Sequence, residues 1–363
     1  MKKERIIYLD VLRVIACFMV VLTHAGDSYI LQTESSSIYL ALIRPCVPLF
    51  ILLSGILLLP VNLEYGSFIK RRFTRVLIPF LVWSILYVFM PVPSKLMFGG
   101  PENFLTGSDM NIYLYNIMLI PINFTKSNAH FWFIYTILGL YLFLPIISPW
   151  IKTASKSTLI VFLSLWTFTL FLPYIKLYFP EFQGECDWNE FGMFHYFSGY
   201  LGFIILGYFL HHYNKLSLLA SMTIGTILFI VGFVITYYGF LADINKFNTL
   251  KEISGVENWK LLELFIGYNT INVALMTAGI FMFFQKIDYS KFVTNCFTEL
   301  SIFSYGIFLV HYILVLWLGK AIAHQTSLCP VFEQMLLTVV TFVLSYLIVK
   351  TISYVPKSKY LIG

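Results

Sequence analysis

Arg13 and His24 stand eleven residues apart inside the apolar run IIYLDVLRVIACFMVVLTHA (residues 6–25). An ionisable side chain within a membrane span costs several kcal/mol unless it faces protein, water or a partner, so residues of this kind are the first to consider for chemistry. On a helix, eleven residues complete three turns plus about 20° and rise about 16 Å, which puts both side chains on one face at two depths. A guanidinium keeps its charge and offers forked donors suited to phosphate or carboxylate. An imidazole exchanges a proton near neutral pH. The pair therefore suits anion binding at one depth and proton transfer at the other. Asp10, three residues before Arg13, is expected to pair with it and fix its direction. The plainer alternative is that Arg13 snorkels to the headgroups while His24 ends the helix.

Other positions could join them. The segment SFIKRRFTRVLIP (Ser67 to Pro79) places Lys70, Arg71, Arg72 and Arg75 ahead of an apolar run, with Arg72 and Arg75 on one helical face. Phosphate binding is one reading, and the positive-inside rule alone is the other. Arg44 precedes Pro45 and Pro48, which predict a kinked or unwound start to the second span, tolerated where backbone lines a cavity. His130 and Trp132 open the fourth span, and Glu299, Tyr305 and His311 lie along the ninth. Each has a structural alternative: an interfacial aromatic belt for the first two, and a hydrogen bond to a neighbouring helix for the buried histidine. There is no glycine-rich phosphate loop, nucleophile elbow or H-E-x-x-H zinc motif. His24-Ala25-Gly26-Asp27 is too short for an H-x4-D acyltransferase motif. The five cysteines have no C-x-x-C spacing, so neither a metal site nor a disulfide framework is expected.

The elements that must position these residues are membrane helices. Of 363 residues, 59% are hydrophobic and 12% charged, and the mean hydropathy is +0.80, well outside soluble norms. Windows of about twenty apolar residues predict an all-α protein of about ten spans, near 6–26, 38–60, 74–92, 131–149, 157–175, 194–212, 217–240, 264–285, 298–319 and 332–353. The first resembles a signal peptide, but Asp10 and Arg13 interrupt its core and no cleavage site follows, so it is expected to remain. Placing both termini in the cytoplasm puts Lys2, Lys3 and Arg5 and the Lys70–Arg75 cluster inside, as the charge bias of short loops requires. That bias also accounts for the net charge of +6 without nucleic acid as a partner. The longer outer segments, 93–130, 176–193 and 241–263, are acidic and large enough to cover an entrance.

With these residues in place, the chain resembles the acyltransferase-3 family of membrane-bound acyltransferases. The resemblance rests on Arg13-x10-His24 preceded by Tyr8-Leu9-Asp10, on VPLFILLSG (Val47 to Gly55), on Arg72-x-x-Arg75 leading to Pro79, on HFWFIYTILGLYLFLP (His130 to Pro145), and on SYGIFLVHYIL (Ser304 to Leu314). These five motifs fall in order over essentially the whole chain, as one transmembrane domain (1–363). Leu49-Phe50 stands where a double phenylalanine is common. The chain is most similar to bacterial surface-polysaccharide O-acetyltransferases without a fused extracytoplasmic domain. That resemblance implies a multi-pass protein of the bacterial inner membrane, surrounded by lipid. It implies transfer of an acetyl or other small acyl group from cytoplasmic acyl-CoA, a co-substrate and not a bound cofactor, to a hydroxyl of a surface or lipid-linked glycan. Arg13, Arg72 and Arg75 would hold the CoA phosphates, with Asp10 supporting Arg13. His24 would act either as general base or as a covalent acyl carrier. Oxyanion donors would come from Tyr305, Trp132 or the backbone near Ser54. Two rival classes remain: a transporter or flippase of a lipid-linked sugar, and a glycosyltransferase using Asp27 or Glu34.

Overall fold

The structure, a computed structural model, describes residues 5–26, 34–90, 110–123, 126–183, 191–254, 262–323 and 329–363. Among these residues there are helices and turns and no strand. Helix α1 is Ile7–Gly26, α2 Glu34–Ile43, α3 Cys46–Leu58, α4 Tyr65–Val88, α5 Met110–Leu119, α6 Trp132–Thr153 and α7 Lys156–Tyr178. Helix α8 is Leu201–Tyr213, α9 Leu218–Ser254, α10 Glu263–Ile266, α11 Ile271–Phe284, α12 Lys291–Ala323, α13 Pro330–Ser353 and α14 Lys359–Ile362.

Among the described residues, eight segments are long and apolar enough to cross a membrane: α1, α2–α3 from Ser37, Asn128–Thr153, α7, α9 to Thr249, α10–α11, α12 to Gly319, and α13. The apolar α8 is shorter, and α4 carries Lys70, Arg71, Arg72 and Arg75 in its first half. Each of the ten predicted spans overlaps a helix, and eight of them meet the length and apolarity of a crossing. The protein is thus an all-α, polytopic membrane protein.

Three boundaries differ from the prediction for local reasons. Helix α9 continues to Ser254 where an outer segment was expected from 241; ADINKFNTLKEIS is polar but contains neither Pro nor Gly to end a helix. Helix α4 begins at Tyr65, with the Glu64 carboxylate accepting from the Gly66 amide; hydropathy locates the apolar part of a helix and misses a charged first turn. The sixth span is helical only over Leu201–Tyr213, preceded by a 3-10 turn at Gly192–Phe197. The break anticipated at the prolines is present between α2 and α3, at Arg44-Pro45, since proline donates no hydrogen bond and restricts the residue before it.

The chain forms two compact units. The first contains Met1–Ala16, Ser37–Pro60 and Ile147–Thr298, and the second Cys17–Ser36, Val61–Ile146 and Glu299–Gly363. In the first unit, α9 packs on α11 where Gly225 and Gly279 face each other, so that a β-carbon on either would strike the other's carbonyl oxygen. Small residues permit such close approach in lipid, where burial of apolar side chains drives little association. Beside this contact, buried Asn272 donates 2.7 Å bonds to Thr236 Oγ1 and the Phe265 carbonyl and accepts from the Tyr174 hydroxyl at 2.6 Å. In the second unit, the Trp83 indole on α4 donates to the Leu361 carbonyl of α14 at 2.8 Å. Phe18 of α1 meets Phe342 of α13 edge-on, with centroids 5.5 Å apart.

Candidate functional site

The unbroken α1 satisfies the helical arithmetic: Arg13 and His24, both half-buried, lie on one stripe of a single helix. The last turns of α1 are held from two sides within the second unit. Cys17 Sγ lies 3.5 Å from the Ser304 carbonyl of α12, and Gln334 of α13 donates to the Leu22 carbonyl at 3.5 Å, with its amide against Gly26. These contacts fix the turn that carries His24.

Around His24 the second unit gathers two more imidazoles and two phenols. The His24 ring centroid lies 5.3 Å from His311, 5.3 Å from Tyr312 and 5.9 Å from His130. His130 stacks on Tyr312 at 4.5 Å, lies 5.3 Å from His311 and meets the Tyr87 ring at 5.1 Å. His130 comes from the 3-10 turn Lys126–Phe131, whose Asn128 leaves helical geometry before α6 begins. His311 and Tyr312 come from α12 and Tyr87 from α4.

The turn bearing His311 is tightly tied. The Tyr87 hydroxyl donates to the Leu309 carbonyl at 3.0 Å and accepts from the Ile313 amide at 3.3 Å, so it touches both ends of one helical rung. His311 Nδ1 lies 2.7 Å from the Phe308 carbonyl. His311 and His130 are 0% and 3% exposed, and His311 Nε2 and both His130 nitrogens have no hydrogen-bond partner. Buried polar groups are nearly always paired, so three open nitrogens in one place mark this cluster as the candidate site. No group of His, Cys, Asp or Glu among the described residues is arranged to hold a metal ion.

The other predicted residues fall into different roles. Asp10 does not stand ready for Arg13 alone: Arg5 holds both its oxygens, at 2.5 and 3.0 Å, with Thr298 Oγ1 3.4 Å from Oδ2. Its spacing to Arg13 was legible, but Arg5 precedes the helix and no helical periodicity announces it. Arg44 is 6% exposed, so it does not snorkel. It donates to the Leu40 carbonyl at 3.2 Å and the Ile266 carbonyl at 3.4 Å, and lies 5.4 Å from the centre of the Tyr268 ring. Tyr305 is no oxyanion donor in this arrangement, because its hydroxyl donates to the Val76 carbonyl of α4 at 2.7 Å. Glu299 pairs with Lys350 at 2.7 Å and accepts from the Tyr346 hydroxyl at 2.6 Å. Twelve residues before His311, it lies about 18 Å away along α12. Trp132, half-buried, opens α6 two residues after His130, with its ring on Phe133. Arg72 is half-buried with its guanidinium 5.6 Å from the Phe68 ring centre, and Arg75 is exposed. Asp27 lies outside the described residues; Glu34 begins α2.

Sequence reasoning missed Tyr87 and Tyr312. Tyr312 adjoins His311, which offered a signal; Tyr87 is one tyrosine among 24, and only tertiary packing distinguishes it.

These helices and this buried imidazole cluster define a polytopic membrane protein whose candidate chemistry is proton or acyl transfer by histidine. A family profile described as an acyltransferase domain matches residues 6–350. The chain therefore belongs to the acyltransferase-3 family and is a membrane acyltransferase. No match was found among curated proteins or among solved structures.

Proposed function

We propose that the protein moves an acetyl or similarly small acyl group from acyl-CoA, approaching from the cytoplasm, to a hydroxyl of a surface or lipid-linked glycan, in the inner membrane of a bacterium. The observation that carries this reading is the gathering of His130, His311 and Tyr312 around His24, with open nitrogens on His130 and His311. Such a site transfers protons and receives acyl groups.

His24 is the residue at the acyl carbon. Arg13 precedes it by about 16 Å along α1. On α4, Arg72 and Arg75 precede Tyr87 of the cluster by fifteen and twelve residues, about 22 and 18 Å. Both helices thus separate cation from cluster by lengths that an extended pantetheine arm can span. The arginines are assigned to the donor's phosphates, bound by charge-assisted hydrogen bonds. The ring of Tyr312 lies against His24, whereas the Tyr305 and Tyr87 hydroxyls are bonded to backbone.

The test is incubation of the purified protein with acetyl-CoA carrying a radiolabelled acetyl group and a panel of cell-surface glycans. Label should reach a glycan, and His24→Ala should cut transfer by about 10³-fold, within the range of a removed proton-transfer group, while CoA still binds. Failure of any acyl-CoA to label glycan or protein would overturn the reading.

A further inference from the structure

We infer that His311 is the general base that accepts the glycan hydroxyl's proton, and that His24 is the acyl carrier it serves. This rests on the acyltransfer reading and assigns two imidazoles to two steps.

The tautomer of His311 follows from its partner. A carbonyl oxygen only accepts, so the 2.7 Å contact with Phe308 places the proton on Nδ1, and the neutral ring then carries its lone pair on Nε2. That nitrogen is fully buried and has no partner. A structural histidine in a helix bundle engages both nitrogens, as Asn272 engages both ends of its amide in this same protein. A lone pair oriented by a backbone carbonyl, beside a second imidazole whose centroid is 5.3 Å away, is the arrangement of a nucleophile, a base and a third group that orients the base. Tyr87, bonded to both ends of the Leu309–Ile313 rung, holds the turn in register.

In the first step, a His24 nitrogen attacks the thioester carbon. The carbon–nitrogen bond forms, the carbon–sulfur bond breaks, and the proton on the other His24 nitrogen passes to the departing thiolate, releasing CoA. In the second step, the hydroxyl oxygen attacks the acyl carbon as His311 Nε2 takes its proton. The carbon–nitrogen bond breaks, and His311 returns the proton to His24. The sum is an ester and free CoA.

Hydroxylamine separates the steps, because its neutral amine attacks an acyl-imidazole without a base, whereas a sugar hydroxyl needs one. The protein in detergent is given labelled acetyl-CoA with either hydroxylamine or the methyl glycosides of glucose, galactose and N-acetylglucosamine. His311→Gln should keep acetohydroxamate formation within about threefold while losing glycoside acetylation by about 10²- to 10⁴-fold, the span attributed to a general base. His24→Ala should lose glycoside acetylation and lower hydroxamate formation to the rate of acetyl-CoA and hydroxylamine without protein. If His311→Gln proves misfolded by gel filtration and CoA binding, His311→Ala is assayed with added imidazole, which should restore glycoside acetylation and leave hydroxamate formation unmoved. Equal loss of both products in the folded variant, loss of neither, or absence of imidazole rescue would overturn the assignment. So would wild-type protein that acetylates a glycoside without ever carrying label itself, a result that leaves the acyltransferase reading intact. Wild-type protein that acetylates neither nucleophile would instead sink that underlying reading.

Discussion

Arg44 invites the most direct energetic test. It is a cation 6% exposed in an apolar protein, and its partners are the carbonyls of Leu40 and Ile266. Leu40 lies in the last turn of α2 and Ile266 ends α10, so the guanidinium sits at the carbonyl, negative-dipole ends of two helices. A hydrogen bond from a charged donor is worth about 1.5–3 kcal/mol. At 3.2 and 3.4 Å both bonds belong at the low end, giving about 3 kcal/mol for the pair. Arg44→Met keeps the stem but removes both donors and leaves two buried acceptors, so it should destabilise the protein by about 3 kcal/mol. Arg44→Lys keeps the charge on a point donor that reaches one carbonyl, and should cost about half as much. Reversible unfolding in mixed micelles, followed by circular dichroism, measures both. If Arg44→Met lies within about 0.5 kcal/mol of wild type, the ordinary range for an unimportant surface change, the double cap is refuted. Equal costs for Met and Lys would refute the charge-based account.

Four further outcomes follow from the same structure. Arg72→Ala and Arg75→Ala should weaken CoA binding in calorimetry without loss of helicity, and unchanged affinity in both removes the phosphate assignment on α4. Arg13→Ala should do the same on α1, and its failure would leave that arginine a snorkelling residue. Tyr87→Phe leaves the Leu309 carbonyl and Ile313 amide without their bridging hydroxyl; it should cost about 1–2 kcal/mol and slow transfer more than donor binding, which separate kcat and KM measurements would reveal. Glu299→Gln removes an exposed ion pair about 18 Å along α12 from His311 and should leave acyl transfer unchanged; a large loss would return Glu299 to the site.

How far the sequence alone leads depends on the range of the interaction being read. Hydropathy is local, so each apolar window has its helix, and Pro45 marks the break in the second span because proline acts on its own backbone. The polar end of α9 and the charged start of α4 escaped the same method, since helix formation tolerates charges that hydropathy counts as boundaries. Within the candidate site, His24, His130 and His311 were each notable by type, but their convergence depends on three separate elements and leaves no trace in spacing. Asp10 shows what helical spacing omits: the spacing to Arg13 was legible, while Arg5, placed before the helix by no periodic rule, engages both carboxylate oxygens.

What distinguishes the imidazole cluster from the other ionisable and amide groups singled out above is the state of its hydrogen bonds. Arg44 is spent on two carbonyls, Asn272 on three partners, Tyr305 on the carbonyl of Val76, and Glu299 on Lys350 and Tyr346. Each of these closes a polar need that the fold itself creates. His130 and His311 instead keep nitrogens open at nearly complete burial, a condition that costs free energy in the absence of a ligand. Selection for stability alone would fill such positions with apolar side chains of similar volume, because replacing a buried polar group by an apolar one of the same shape is nearly neutral or stabilising. A substrate's polar atoms that complete these bonds during turnover would offset that cost, which is the reason to look for the reaction between His24 and His311 before any other pair.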